Sequence, residues 1–200
     1  VLKTMGVEFR FGIDVGSDVT IQQLRDEGYK AFYIAIGARG GRMAGVPGED
    51  AKGVMSGIEF LNKVNKDEEH MKLSGKTVVI GGGNVAMDVA RTALRAGSDD
   101  VSMYCLESRD EMPAAKDEIE EALEENISIN NGWGPKEIIT ENGRVKAVVL
   151  KKCTSVFNAE KRFAPVYDEN DTITIECDNV LLSIGQQIIW GNILAGTKVE

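Results

Sequence analysis

Paired cysteines are missing from this sequence: Cys105, Cys153 and Cys177 are its only three, widely spaced and without a CxxC motif. That spacing suggests neither a disulfide framework nor a zinc site, and leaves three free thiols in a reducing, cytoplasmic setting as the expectation. Histidine is scarcer still. His70 stands alone in a polar stretch at residues 65–70 and reads as a solvated loop side chain, so no metal site is expected. No apolar run approaches the ~20 residues of a membrane span. Nor does the chain open with a charged segment followed by an apolar one, so no secretory signal is expected. Basic charge is in short supply as well, with 23 Lys and Arg against 32 Asp and Glu, a net charge of -9, and clusters no longer than Lys151-Lys152. Binding to nucleic acid or to an anionic membrane needs clustered cations, so neither partner is expected.

What remains is 42% hydrophobic and 28% charged, the composition of a soluble globular protein. Its 200 residues suit one domain carrying pieces of another. Residues 1–47 read as a helix end, a strand at 7–15, a short helix at 21–26 and an apolar strand at 31–36 that ends at Gly37-Ala38. Gly40-Gly41 and Val46-Pro47-Gly48-Glu49-Asp50 then mark a connection, and a domain boundary is placed there. From Ser56 an amphipathic segment predicts a helix, with Ser56 as its cap and Glu59 completing a capping box.

The next stretch alternates regularly. A short apolar strand at 77–80, a helix at 84–96 stopped by Gly97, a strand at 101–106, a helix at 114–126 and a strand at 127–130 make a β-α-β-α-β unit. Segments 145–151, 163–167 and 172–176 follow as antiparallel strands joined by polar turns at 158–162 and 168–171, and 180–184 is a last apolar strand. Ala35-Ile36-Gly37-Ala38 and Ser183-Ile184-Gly185-Gln186 share a strand ending, a weak sign of repeated half-domains. The fold class expected is α/β: a Rossmann-like three-layer domain with a β-meander.

Chemistry concentrates at residues 76–107. Gly81, Gly82, Gly83, Asn84, Val85 and Ala86 fit G-x-G-x-x-A directly after a strand and opening a helix, the context that a dinucleotide fingerprint requires. Gly81 permits the tight turn, Gly83 lets a pyrophosphate approach the backbone, and Ala86 lets helix and strand pack closely. The amides of Gly83, Asn84 and Val85 offer an anion site at the helix start. Glu107 ends the second strand, where a carboxylate accepts hydrogen bonds from an adenosine ribose. An S-adenosylmethionine methyltransferase uses a related turn. It fits poorly, because Val78-Val79-Ile80 stands where such enzymes usually carry an acidic residue before the glycines. Gly185 and Gln186, ending a strand beside the fingerprint strand, either touch a nicotinamide or serve only to leave the sheet. Asp88 and Arg91 read as members of a surface or interdomain ion pair, and the acidic run 117–125 as the solvated face of a helix.

With the run from Gly81 to Arg95, the segment Ser108-Arg109-Asp110-Glu111-Met112-Pro113-Ala114 and the stretch from Cys177 to Gln186, the chain resembles the FAD-dependent pyridine nucleotide oxidoreductases. The small (beta) subunit of bacterial glutamate synthase is the member it resembles in particular. Gly6-Val7-Glu8-Phe9 and Pro47-Gly48-Glu49-Asp50 extend the likeness to segments that in that family belong to the flavin domain and its exit.

The resemblance implies residues 1–47 as a partial, N-terminal remnant of a discontinuous FAD domain, 48–185 as the NAD(P)H-binding domain and 186–200 as the return to the FAD domain. It implies hydride passing from NADH or NADPH to FAD in the full-length protein, with the flavin domain of the same chain as one partner and a large subunit or iron-sulfur protein as a further one. It also adds Ser108 and Arg109 to the cofactor-binding set. The family's first glycine fingerprint and its later Gly-Asp segment do not occur in these 200 residues, so the chain is expected to come from the middle of a longer protein and not to hold FAD itself. The paired cysteines of its disulfide reductases are missing too. Leu106-Glu107 stands where NADPH-using members carry two arginines, which favours NADH, although Arg109 is placed to swing toward a 2′-phosphate. No catalytic residue is nominated, because hydride transfer is the cofactors' own chemistry. The alternative from another class is a module that senses NAD(H) without redox chemistry.

Overall fold

The computed structural model describes residues 1–66 and 71–198, so His70 lies outside the described residues. It contains two compact units, Arg39–Gln187 and a smaller one that joins Val1–Ala38 to the segment starting at Ile188. In the smaller unit, helix α1 (Ile21–Asp26) opens with a full capping box between Thr20 and Gln23. The strands expected at 7–15 and 31–36 do not form there, apart from an isolated bridge between Val15 and Val19. Their residues have the apolar composition of strands, but among the described residues they have no partner strand, and without a ladder an extended segment is not a strand.

The larger unit is built on one parallel sheet. Strands β1 (Gly40–Gly41) and β2 (Val54–Ser56) precede helix α2 (Gly57–Lys66), strand β3 (Lys76–Ile80), helix α3 (Asn84–Arg95), strand β4 (Asp100–Cys105), helix α4 (Lys116–Glu124) and strand β5 (Ser128–Asn131). A meander of β6 (Trp133–Glu141), β7 (Arg144–Phe157) and β8 (Phe163–Glu176) follows, and β9 (Asn179–Leu182) and β10 (Gln186–Gln187) complete the unit. The parallel order is β2-β9-β3-β4-β5, with β1 and β10 forming a separate antiparallel pair.

Period-two alternation along β3 decides the layers. Val79 joins Phe60, Met87, Val89, Met103, Ile119 and Leu181 on the helical side. Val78 and Ile80 point the other way, into a second core with Val148 and Leu150 of the meander. Both faces of the sheet are thus covered, which is why Val78, Val79 and Ile80 could be an unbroken apolar run.

The meander departs from expectation in two ways. Residues 163–167 and 172–176 belong to a single strand, β8, because the polar stretch read as a turn is taken up where pairing jumps from Lys151↔Thr172 to Lys152↔Asp168. Strand β6 was not expected at all, since Gly134 and Pro135 interrupt its pattern. Its hairpin with β7 turns at Asn142-Gly143, both at positive φ (53 and 73), the Asn-Gly pairing that a two-residue hairpin turn favours.

Helix ends follow local chemistry. Ser56 Oγ accepts from the Glu59 amide at 3.2 Å, as expected, but the Glu59 carboxylate pairs with Lys63 at 2.7 Å instead of closing a capping box. Arg91 forms the surface ion pair expected of it, within its own domain: on α3 it donates to Glu125 at 2.8 Å and contacts Glu118 and Glu121 of α4, while Arg95 also reaches Glu125. Part of the acidic run 117–125 is therefore ion-paired as well as solvent-facing. Among the described residues no helix is long and apolar enough to cross a membrane, and no cluster of His, Cys, Asp and Glu is arranged to hold a metal.

Leu181 is fully buried at the centre of the sheet, whereas Leu123 is 44% exposed. Leu181→Ala should cost about 2–5 kcal/mol in chemical denaturation. Leu123→Ala should stay within about 0.5 kcal/mol. Comparable losses would contradict the burial pattern. All three cysteines are buried. Burial raises the Cys105 thiol from 9.0 to about 11 and Cys177 from 9.0 to about 12. At pH 8 these thiols should react with iodoacetamide in the folded protein at least roughly a hundredfold more slowly than after unfolding, because only the thiolate attacks. Equal rates would show that the thiols are not buried.

Candidate functional site

The carboxyl ends of β3, β4 and β9 open into a cleft of about 900 Å³. Its floor is the turn after β3. Gly81 has φ +143, and a Cβ there would lie 2.3 Å from the Ser183 carbonyl oxygen, so the position admits no side chain. The Gly81 amide donates to Tyr104 O at 2.9 Å and the Ser183 amide to Ile80 O at 2.7 Å, which locks the turn between the two neighbouring strands. At Gly82 a Cβ would lie 2.9 Å from Glu107 Oε2 and 3.0 Å from the Cys105 Cβ, so the turn passes directly against the end of β4.

Gly83 is the N-cap of α3, in extended conformation (φ -94, ψ 175) and with no side-chain cap. A Cβ there would meet only Pro113, at 3.9 Å. Gly83, Asn84 and Val85 line the cleft, and among the described residues no acceptor takes the amides of Asn84 and Val85. Uncapped amides at a helix start attract anions. The Asn84 Oδ1 accepts from the Ala115 amide at 2.7 Å, which leaves its backbone amide and its Nδ2 donor for a ligand. Ala86 is fully buried in the core beneath the turn and does not line the cleft.

Glu107 lies in the cleft wall, half-buried just beyond β4. Its carbonyl accepts from Asn131 Nδ2 at 2.9 Å, and the same Nδ2 lies 3.2 Å from Cys105 Sγ. Burial is the main cause of the raised Cys105 thiol, and the Glu107 charge adds to it. Ser108 is exposed and donates its hydroxyl to Glu111 Oε2 at 2.6 Å. Arg109 opens a 3-10 turn (Arg109–Glu111) and is likewise exposed, and neither residue lines the cleft. On the far wall, Gly185 (φ +120) accepts from the Arg42 amide at 3.2 Å, and Gln186 pairs with Gly41.

The structure therefore gathers Gly81, Gly82, Gly83, Asn84, Val85, Glu107, Gly185 and Gln186 around one cleft and leaves Ala86, Ser108 and Arg109 outside its lining. Arg42, Trp133, Lys151 and Tyr167 also line it, and sequence reasoning missed them. Lys151 Nζ stands 4.3 Å from the Tyr167 ring centroid and 2.6 Å from Glu169 Oε1. Arg42 falls in a glycine-rich connection and the others in the meander, so no local motif marks them. Gly134 brings the meander this close, because a Cβ there would lie 2.7 Å from both Leu106 and Tyr167.

The chain is 37% identical over 190 residues to the NADP(+)-dependent formate dehydrogenase subunit beta of Moorella thermoacetica, covering 92% of this chain and 26% of that protein. It is 30% identical over 197 residues to the glutamate synthase [NADPH] small chain of Halomonas elongata, covering 94% of this chain and 41% of that one. The chain thus spans well under half the length of these relatives. Among solved structures, Mycobacterium tuberculosis FprA in complex with NADPH has the same fold, with a TM-score of 0.76 at 20% identity over 88% of this chain and 54% of that one. Residues 2–189 match the family described as pyridine nucleotide-disulphide oxidoreductase, and the chain belongs to that family.

Proposed function

We propose that this chain is the nicotinamide-dinucleotide-binding domain of an FAD-dependent oxidoreductase and that it prefers NADH. The observation that carries this reading is the Glu107 carboxylate lying against the glycine turn that opens α3. The residues fit the cofactor. The turn leaves a cradle at Gly83 that a side chain would fill, the free amides of Asn84 and Val85 suit a pyrophosphate, and Glu107 suits a ribose diol. Gly185 and Gln186, across the β9–β3 junction, lie on the side left for the nicotinamide half. The bound nucleotide would supply the hydride. The protein's part is to hold and orient it, which needs no general base.

Both relatives compared above, and FprA, carry NADP or NADPH in their descriptions. The residue that meets the ribose argues the other way in this chain. A unit charge about 4 Å from a like charge is repelled by about 4 kcal/mol at an effective dielectric of ~20. Solvent and side-chain motion reduce that, but a residual ~1.4 to 3 kcal/mol is still a preference of roughly ten- to a hundredfold. The exposed Arg109, outside the cleft lining, is less well placed to offset it. Residues 1–47 and 186–200 are, on this reading, segments of the flavin domain around the NAD(P)H-binding domain at 48–185. The exposed Phe11 and Tyr33 of the smaller unit are 79% and 94% accessible, which supports an unfilled apolar surface there. Electrons would pass onward to a large subunit or an iron-sulfur protein.

Titrating NADH and NADPH at one ionic strength tests the preference, and equal affinities or tighter NADPH would overturn it. Glu107→Ala should narrow the gap, mainly by improving NADPH binding. Gly83→Ala separates binding from packing: φ and space at Gly83 accept a methyl group, so stability should hold while NADH affinity falls at least about tenfold. Unchanged affinity would mean that the turn only packs. The 200-residue chain alone should purify without flavin colour, and stoichiometric bound flavin absorbance after FAD is added would contradict that assignment.

A further inference from the structure

Two adjacent asparagines end the edge strand β5, and each reaches across to β4, but to different places. Asn130 Nδ2 donates to Met103 O at 3.1 Å, within the strand. Asn131 Nδ2 donates to Glu107 O at 2.9 Å, beyond the end of the strand, where the backbone has left the ladder. The last ladder partner of Asn131 is Cys105, so residues 106 and 107 have no strand to hold them. A chain segment past its last ladder bond is free to splay unless a side chain ties it down. Asn131 supplies that tie. The Cys105 thiol also points at Glu107 O, at a longer 3.7 Å, and accepts from Asn131 Nδ2 at 3.2 Å. Cys105, Glu107 and Asn131 therefore form one closed group beside Gly82.

We infer that Asn131 is the positioning residue for cofactor choice, fixing the backbone of Glu107 so that its carboxylate is held at the glycine turn. This rests on the reading of the cleft as a dinucleotide site. Asn131 need not touch the nucleotide, since its amide is occupied by Glu107 and Cys105. Discrimination between a ribose diol and a 2′-phosphate depends on where a carboxylate sits to within an ångström or so, because both hydrogen-bond strength and charge repulsion are steep in distance. A Glu107 released from Asn131 would still be present. It would swing away from a phosphate and lose its bonds to the ribose hydroxyls, so the preference would shrink from both directions.

The test is the ratio of dissociation constants for NADPH and NADH, read by fluorescence titration of the protein carrying Asn131→Thr. Threonine suits a strand, but its hydroxyl is too short to reach Glu107. Asn131→Leu, similar in size and without a donor, is the second variant should the first fail to fold. Asn130→Thr is the control, since it removes a side-chain bond of the same kind that ends within β4 instead of at Glu107. The expected result is a ratio reduced roughly three- to tenfold by either Asn131 variant, the scale of one hydrogen bond's net contribution. Asn130→Thr should leave the ratio unchanged while lowering stability. Combined with Glu107→Gln, Asn131→Thr should change the ratio no further, because the two act through one side chain.

A ratio that survives both Asn131 variants, or one that falls equally with Asn130→Thr, overturns the role of Asn131 and leaves the dinucleotide reading standing. Wild-type protein that binds neither nucleotide overturns the dinucleotide reading, and the role of Asn131 falls with it.

Discussion

At Gly81 the missing side chain lets the exit of β3 lie against Ser183 at the end of β9, while its amide reaches Tyr104 of β4. Three parallel strands are thereby brought level at their carboxyl ends. The start of α2 crowds into the same place, because a Cβ on Gly57 would lie 2.3 Å from Ser183 Oγ and 2.8 Å from Val89 of α3. Ser183 thus lies where the ends of β9 and β3 meet the start of α2, and its hydroxyl is buried without a hydrogen-bond partner among the described residues. An orphaned hydroxyl costs on the order of 1–3 kcal/mol. The chain tolerates that cost at a place where close packing sets the shape of the cleft.

The helix that opens at the cleft is held at its other end by charge. Arg91 and Arg95 on α3 face Glu118 and Glu121 on α4 and Glu125 just past its end, so the two crossover helices are joined away from the cleft while the amides of Asn84 and Val85 remain free beside it. The arginines lie toward the carboxyl end of α3, where a cation also complements the helix dipole. Orientation of the amino end, on which anion binding depends, is therefore maintained by contacts two to three turns away.

The β-α-β-α-β unit was legible because each element carries a local signature: an apolar run, three-and-four periodicity, a stop glycine. The fingerprint was legible for the same reason, and Glu107 because its distance from the glycines is set by one helix and one strand. Ser108 and Arg109 come from the resemblance rather than from a local signature, and the structure leaves both exposed and outside the cleft lining, since only the tertiary path decides which residues of a run face inward. The meander's share of the cleft was hidden because Trp133, Lys151 and Tyr167 reach it only through sheet-on-sheet packing permitted by Gly134. At 7–15 and 31–36 the apolar pattern of a strand was present and a pairing partner was not.

Strand order carries one more consequence, for how the domain comes together as it is made. β9 lies between β2 and β3, and Asn179 pairs with Thr77 at a separation of 102 residues. Until β9 is synthesised and inserted, the inner edge of β3 has no neighbour, and the apolar faces of Val78 and Val79 are only half enclosed. A contact of such long range closes slowly, since a large loop must be ordered before any pairing rewards it. The β3-α3-β4 pairing closes a short loop and the β3-β9 pairing a long one, so completion of the sheet's centre carries the larger share of the ordering cost.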